Sequence, residues 1–156
     1  MTIPVTLHVN GETHEFSVGP TEMLIDVLRQ RLDLTGTNRD CGMGICGVCT
    51  VLLDGRPVSS CILLAAQADG AEITTVEALE RDGRLSPLQD AFLRHGAVQC
   101  GYCTPGFIIT ATALLAEIPR PTRAEIIEAL KGNLCRCTGY KKIVEAVESV
   151  AQAHKD

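Results

Sequence analysis

Eight cysteines, in two groups of four, constrain this chain of 156 residues more than any other feature. A disulfide framework would need an oxidising compartment, and the N-terminal segment MTIPVTLHVNG has no basic region or apolar stretch that would predict export. Free core thiols would not cluster beside glycines in polar loops. Metal ligation by thiolates is the interpretation we favour, with the two predicted ligand sets being Cys41, Cys46, Cys49 and Cys61, and Cys100, Cys103, Cys135 and Cys137.

The first set is spaced C-x4-C-x2-C-x11-C. This is the plant-type ferredoxin spacing for a [2Fe–2S] cluster. Structural zinc sites usually combine two short CxxC-type pairs, and the interval from Cys41 to Cys46 is too wide for one. Gly42, Gly44 and Gly47 lie between the ligands, where glycine lets backbone amides approach a cluster closely. The first set therefore predicts an iron–sulfur centre with these glycines around it.

The second set is spaced C-x2-C-x31-C-x-C, and this spacing alone allows either zinc or an iron–sulfur cluster. Thr104 and Pro105 follow the first pair and predict a helix N-cap with proline at the first helical position. Cys100 and Cys103 would then lie just before a helix N-terminus, where the helix dipole favours thiolates.

Composition excludes several functions. The net charge of −5 and the aromatic content of 3% argue against nucleic-acid binding. No apolar run approaches the ~20 residues of a membrane span, so we expect a cytoplasmic protein without a membrane span. The sequence also shows no nucleophile–base pair, carboxylate pair or phosphate-binding loop, and we therefore predict no catalytic residue in this chain.

The periodicity predicts an α+β protein with two halves. Hairpins are expected at residues 5–18 and 50–58, with turns at Asn10-Gly11 and Asp54-Gly55. A helix over 24–32 and a strand over 73–76 complete a small sheet with one covering helix. Four helices follow, with capping boxes at 86–89 and 122–125. We predict domains at 1–79 and 85–156, the second a four-helix bundle, joined by a linker at 80–84.

Three segments carry a resemblance to a known family: 41–50 (CGMGICGVCT), 99–106 (QCGYCTPG) and 132–140 (GNLCRCTGY). In this order and at these separations they resemble the small iron–sulfur subunit of the xanthine oxidase family of molybdenum hydroxylases. The resemblance covers nearly the whole chain. One departure is Met43, where many members have glutamate; it leaves the ligand set intact.

The resemblance implies that both cysteine sets hold [2Fe–2S] clusters, the first in a ferredoxin-like β-grasp domain and the second in a four-helix bundle. It implies that Gln99 hydrogen-bonds the pterin of a molybdenum cofactor and that Cys137 is the ligand nearest to it. Electrons would pass singly from that cofactor through the C-terminal and then the N-terminal cluster to FAD. The expected partners are a large molybdenum-cofactor subunit and a medium FAD subunit, in a heterotrimer or a dimer of heterotrimers.

Two other functions stay under consideration. A free-standing two-cluster ferredoxin would meet its partners only transiently, and a zinc-stapled structural module would hold no iron. The substrate is left open by the sequence, because the reaction pocket would lie on another chain. N-heteroaromatics, purines, aldehydes, carbon monoxide and aromatic thioesters are all compatible with it.

Overall fold

A mixed sheet forms the first half of the molecule. The computed structural model of the chain describes residues 1–153, and residues 154–156, the end of the predicted second domain, lie outside the described residues. The five strands have the order β2-β1-β5-β3-β4. β1 pairs with β5 in parallel, and the other neighbouring strands are antiparallel. The strands are β1 (Ile3–Val9), β2 (Glu12–Val18), β3 (Thr50–Leu53), β4 (Arg56–Ser59) and β5 (Glu72–Thr74).

Both predicted hairpins are present. Asn10 and Gly11 have φ values of 55° and 84°, and Asp54 and Gly55 have values of 49° and 77°. Two consecutive positive φ values are what a type I′ turn requires, and its twist matches that of the flanking strands. The predicted strand over 73–76 was placed too far along the chain, because β5 ends at Thr74 and a 3-10 helix occupies Val76–Leu79.

One short helix covers the sheet. It begins as α1 (Leu24–Asp26) and continues as a π-helix over Val27–Arg31. Leu24 and Leu28 are fully buried against the apolar side of the sheet, which includes Leu7 and Ile73. Each such side chain contributes about 1.5–3 kcal/mol on burial. This packing fixes α1 over the sheet and places the cysteine loop that follows it.

Four helices follow in the second half: α2 (Pro87–Arg94), α3 (Thr104–Glu117), α4 (Arg123–Leu130) and α5 (Lys141–Ala153). The capping boxes predicted for α2 and α4 are confirmed, with Gln89 N–H donating to the Ser86 hydroxyl and Glu125 N–H to that of Thr122. The predicted N-cap of α3 was wrong. Thr104 is itself helical and Cys103 occupies the cap, because Thr104 N–H already donates to the Gly101 carbonyl in a preceding turn.

These four helices pack around one apolar core. Its largest fully buried members are Phe92, Phe107, Ile126 and Ile143, one from each helix. None of the helices within residues 1–153 combines the length and apolar character that a membrane crossing needs.

The segment between the halves is an exposed turn. Arg81 and Arg84 pair through their backbones, and Asp82 and Gly83 between them have φ values of 54° and 74°. The preceding 3-10 helix, Val76–Leu79, packs its apolar side chains against the helical core rather than the sheet core. The end of the first half is therefore in direct contact with the helical core.

Candidate metal centres

The first cysteine loop runs from Cys41 to Cys49 without regular secondary structure, between α1 and β3. Gly42, Gly44 and Gly47 have φ values of 66°, 71° and 68°, a backbone region that other residues rarely adopt. Cys41 is half-buried, and Cys46, Cys49 and Cys61 are buried. The glycines thus permit the winding of the chain that brings this set together.

Backbone amides point at the outermost sulfur of this set. Met43 N–H lies 3.4 Å from Cys41 Sγ. This amide, followed by those of Cys46 and Ile45, lowers the pKa of the Cys41 thiol to about 6. Burial instead raises the pKa of Cys61 to about 11 and also raises the pKa of Cys46. The loop therefore stabilises negative charge on its exposed side and needs a cation at its buried side.

The second set joins two distant segments. Cys100 and Cys103 precede α3, whereas Cys135 and Cys137 lie between α4 and α5. The Sγ atoms of Cys100 and Cys137 are 3.5 Å apart. All four thiols line a cavity of about 580 Å³ that also reaches Cys46 of the first set.

Burial raises the pKa of the Cys103 thiol to about 12. Burial alone would also raise the pKa of Cys135. Hydrogen bonds from the Thr138 hydroxyl and amide, the Cys137 amide and the Cys103 thiol together outweigh burial, so the pKa of Cys135 is lowered. The neighbouring Cys100 thiol raises the pKa of Cys137. As in the first set, one thiol, that of Cys103, would need a nearby cation to ionise. The thiol of its neighbour Cys135 already receives hydrogen bonds that favour its ionised form.

The thiols of each set associate two by two. In the first set Cys41 contacts Cys46, and Cys61 contacts Cys49. In the second set the contacting pairs are Cys100 with Cys137 and Cys103 with Cys135. A [2Fe–2S] cluster has two irons with two thiolates at each, whereas a zinc ion needs four ligands around one point.

Across residues 1–153 no group of three or more His, Cys, Asp or Glu side chains converges on a single ion position. The paired arrangement of both cysteine sets is compatible with the two irons of a [2Fe–2S] cluster.

Gly47 lies where the two cysteine loops touch. Leu134 N–H donates to the Cys46 carbonyl at 2.8 Å, and Asn133 Nδ2 donates to the Gly47 carbonyl at 3.0 Å. A Cβ on Gly47 would come within 2.4 Å of the Gly132 carbonyl oxygen, and one on Gly106 within 2.2 Å of the Gly47 oxygen. Gly47 is therefore needed for the contact between the loops as well as for its φ value.

Sequence reasoning missed Asn133, Gly106 and Thr138. Gly106 and Asn133 lie within the segments 99–106 and 132–140. They act through contacts with Gly47, which is far away in the chain, and no local pattern shows such a contact. Thr138 lies within the segment 132–140, but a threonine beside a ligand has no spacing signal of its own. Its role emerges only from its hydrogen bonds to Cys135.

Two parts of the surface lie beside the cysteines. Gln99 is exposed next to Cys100, and Cys137 is exposed as well. Around the first loop the exposed fractions of Met43, Ile45 and Ile62 are 65%, 61% and 55%. An exposed apolar patch of this kind is typical of a surface that contacts another protein.

Two family profiles match the chain. The family described as a 2Fe-2S iron-sulfur cluster binding domain matches residues 7–85, and the one described as a [2Fe-2S] binding domain matches residues 75–148. Each match contains one complete cysteine set.

Relatives of known name extend the similarity to more than nine-tenths of the chain. It is 55% identical to the nicotine 6-hydroxylase small subunit of Paenarthrobacter nicotinovorans, over 93% of this chain and 87% of the relative. It is 51% identical to the nicotinate dehydrogenase small FeS subunit of Eubacterium barkeri, over 93% and 92%. In the crystal structure of quinoline 2-oxidoreductase from Pseudomonas putida 86, a chain superposes with a TM-score of 0.93 and 47% identity, covering 97% of this chain and 95% of that one.

Proposed function

The chain belongs to the small iron–sulfur subunits of the xanthine oxidase family, and from this premise we propose that its eight cysteines hold two [2Fe–2S] clusters that carry electrons within a multi-subunit oxidoreductase. When bound, each cluster supplies one-electron transfer. The observation that carries the proposal is that each complete cysteine set lies within one matched [2Fe–2S] binding domain. The two-by-two contacts of the thiols support the pairing of the ligands.

The ligand assignment follows from those contacts. In the N-terminal cluster, Cys41 and Cys46 would bind one iron and Cys49 and Cys61 the other. In the C-terminal cluster, Cys100 and Cys137 would bind one iron and Cys103 and Cys135 the other. Gly42, Gly44 and Gly47 let the first loop wind around its cluster, because their positive φ values turn neighbouring amides toward the sulfurs.

The finer architecture is part of the same proposal. The sheet with its covering helix would be a β-grasp domain over residues 1–79, and α2–α5 would form a four-helix bundle over 85–156, with a linker at 80–84. The separate apolar cores of the two halves support this division. The contact of Val76–Leu79 with the helical core would make the end of the first domain part of the interface.

The position of each cluster in the electron route follows the resemblance to the family, and the exposed surfaces are compatible with it. Gln99, Cys100 and Cys137 are exposed and adjacent, as required if Gln99 hydrogen-bonds a pterin and Cys137 is the ligand nearest to it. The first loop offers the apolar patch of Met43 and Ile45 to a partner. We place the molybdenum-cofactor subunit at the C-terminal cluster and the FAD subunit at the N-terminal one, in a cytoplasmic heterotrimer or a dimer of heterotrimers.

The substrate would bind on the molybdenum subunit. The relatives named above carry the names of nicotine, nicotinate and quinoline, which are all N-heteroaromatic compounds. We therefore propose an N-heteroaromatic substrate, to be tested by assaying the complex with a dye acceptor against N-heteroaromatics, purines and aldehydes. Turnover of aldehydes alone would contradict this choice.

The decisive experiment is metal analysis and electron paramagnetic resonance (EPR) of the complex purified without oxygen. We expect about four irons and about four acid-labile sulfides per small subunit, and two distinct signals after full reduction. Cys46→Ser should remove one signal and Cys103→Ser the other, so that each variant is the control for the other. Zinc without sulfide, or a single signal, would refute the proposal.

Copurification separates the proposal from the ferredoxin alternative. A stable complex with the flavin and molybdenum chains supports a subunit role. A lone monomer with both clusters and no stable partner would indicate a ferredoxin.

A further inference from the structure

Thr138 makes a direct hydrogen bond to a cysteine sulfur. Its hydroxyl lies 3.1 Å from Cys135 Sγ, and its backbone N–H lies 3.4 Å from the same atom. A side-chain hydroxyl is a donor that can be removed by substitution, which a backbone amide is not. Cys135 and its partner Cys103 form the half-buried pair of the second set, whereas Cys100 and Cys137 are exposed.

Neighbouring groups fix the direction of this hydrogen bond. Tyr140 N–H donates to Thr138 Oγ1 at 3.2 Å, which occupies a lone pair of that oxygen and leaves its hydrogen to point toward Cys135. The Cys135 N–H in turn donates to the Tyr140 hydroxyl at 3.0 Å. Cys135 is therefore held at its backbone by Tyr140 and at its sulfur by Thr138.

Tyr140 itself is held in an uncommon backbone conformation. Its φ is 68°, which is an outlier for a bulky side chain. Its carbonyl accepts the Val144 N–H at the start of α5, and its ring packs edge-on against Phe107 with 6.2 Å between the ring centres. Packing from α3 and α5 thus maintains a strained residue whose amide orients Thr138, and strain of this kind is characteristic of functional sites.

We propose that Thr138 is a positioning residue that raises the reduction potential of the C-terminal cluster through its hydrogen bond to Cys135. This inference rests on the proposed function. One-electron reduction, with the electron supplied by an external reductant or by substrate oxidation in the complex, adds one negative charge to the cluster and its thiolates. A hydrogen bond to a sulfur therefore stabilises the reduced form more than the oxidised form.

The test compares Thr138→Val with Thr138→Ser in the purified complex, by EPR-monitored reduction with dithionite and mediator dyes. Valine keeps the shape but removes the donor, and serine keeps the donor. We expect valine to shift the oxidised–reduced equilibrium of the C-terminal cluster about tenfold toward the oxidised form, which is about 59 mV for a one-electron couple. Serine should restore the wild-type potential, and the N-terminal cluster of the same molecules should not shift.

If the clusters do not assemble in Thr138→Val, Thr138→Ala takes its place, because alanine also removes the hydroxyl and is smaller than valine. Equal C-terminal potentials in the alanine or valine variant and the wild type would overturn the inference while leaving the proposed function intact. Equal shifts in both clusters would also overturn it, because they would indicate a general structural effect. Failure of the wild type to give two EPR signals would instead refute the proposed function.

Discussion

Gly106→Ala is the substitution with the most clearly defined expected effect. Gly106 is the third residue of α3, and its added Cβ would lie 2.2 Å from the Gly47 carbonyl oxygen and 3.2 Å from the carbonyl carbon. Carbon–oxygen contacts in proteins lie at about 3.3–3.6 Å, so the two backbones must separate by about 1 Å. The obstacle is backbone rather than the flexible end of a side chain, and rotamer changes cannot relieve it.

The magnitude follows from two opposing effects. Overpacking of a well-packed site costs about 1–3 kcal/mol, and a backbone obstacle places this site at the upper end. Alanine is favoured over glycine in a helix by about 1 kcal/mol, so the net destabilisation is about 2 kcal/mol. For a chain of this size that corresponds to a fall of about 4–8 °C in Tm.

The assay is thermal unfolding of the purified complex together with the EPR intensity of the N-terminal cluster. The second readout is informative because Gly47 lies between the predicted ligands Cys46 and Cys49, and displacement of its carbonyl should reduce occupancy of that cluster. Gly132→Ala is the matched control, since a Cβ there has no neighbour within 4 Å. If the Gly106 and Gly132 variants unfold at the same temperature, the steric argument is wrong.

Three further predictions concern stability. Asn133→Ala removes the buried hydrogen bond to Gly47 and should cost about 1 kcal/mol by thermal unfolding, because Thr50 still donates to the same carbonyl; an effect no larger than that of Asn38→Ala, which removes a solvent-exposed hydrogen bond to the Tyr102 carbonyl, would contradict this. Ser86→Ala should lower the stability of α2 by about 1 kcal/mol through loss of its N-cap, whereas Ser86→Asp should retain it, so equal losses in denaturant titrations would exclude the capping effect. Removal of iron with a chelator should lower the Tm of both halves, because metal sites contribute folding free energy to small domains; calorimetry showing unchanged transitions would refute this.

The sequence predicted what depends on neighbouring residues. Asn10-Gly11 specifies the first hairpin because asparagine and glycine tolerate the positive φ values of its turn. Ser86 specifies the start of α2 because its hydroxyl accepts an otherwise unpaired helix amide. In both cases the determining interaction spans no more than three residues, so the local pattern contains the information.

Features that depend on distant residues could not be predicted in this way. The hydrogen bond between Asn133 and Gly47 joins residues 86 positions apart. The start of α3 at Thr104 rather than Pro105 depends on a turn at Gly101 within the second cysteine motif. The spacing of the cysteines identified the candidate ligands but not their contacts, because the pairing of Cys103 with Cys135 depends on how α3, α4 and α5 pack.

The contact at Gly47 also limits how the chain can be recombined. A chimera that joined the sheet half of one relative to the helical half of another would combine the loop around Gly47 from one protein with Gly106 and Asn133 from a different one. Exchange of either half alone should fail unless these positions match, even though each half has its own core. We expect segments 41–50, 99–106 and 132–140 to be exchangeable between relatives only together, because their residues contact one another at Gly47.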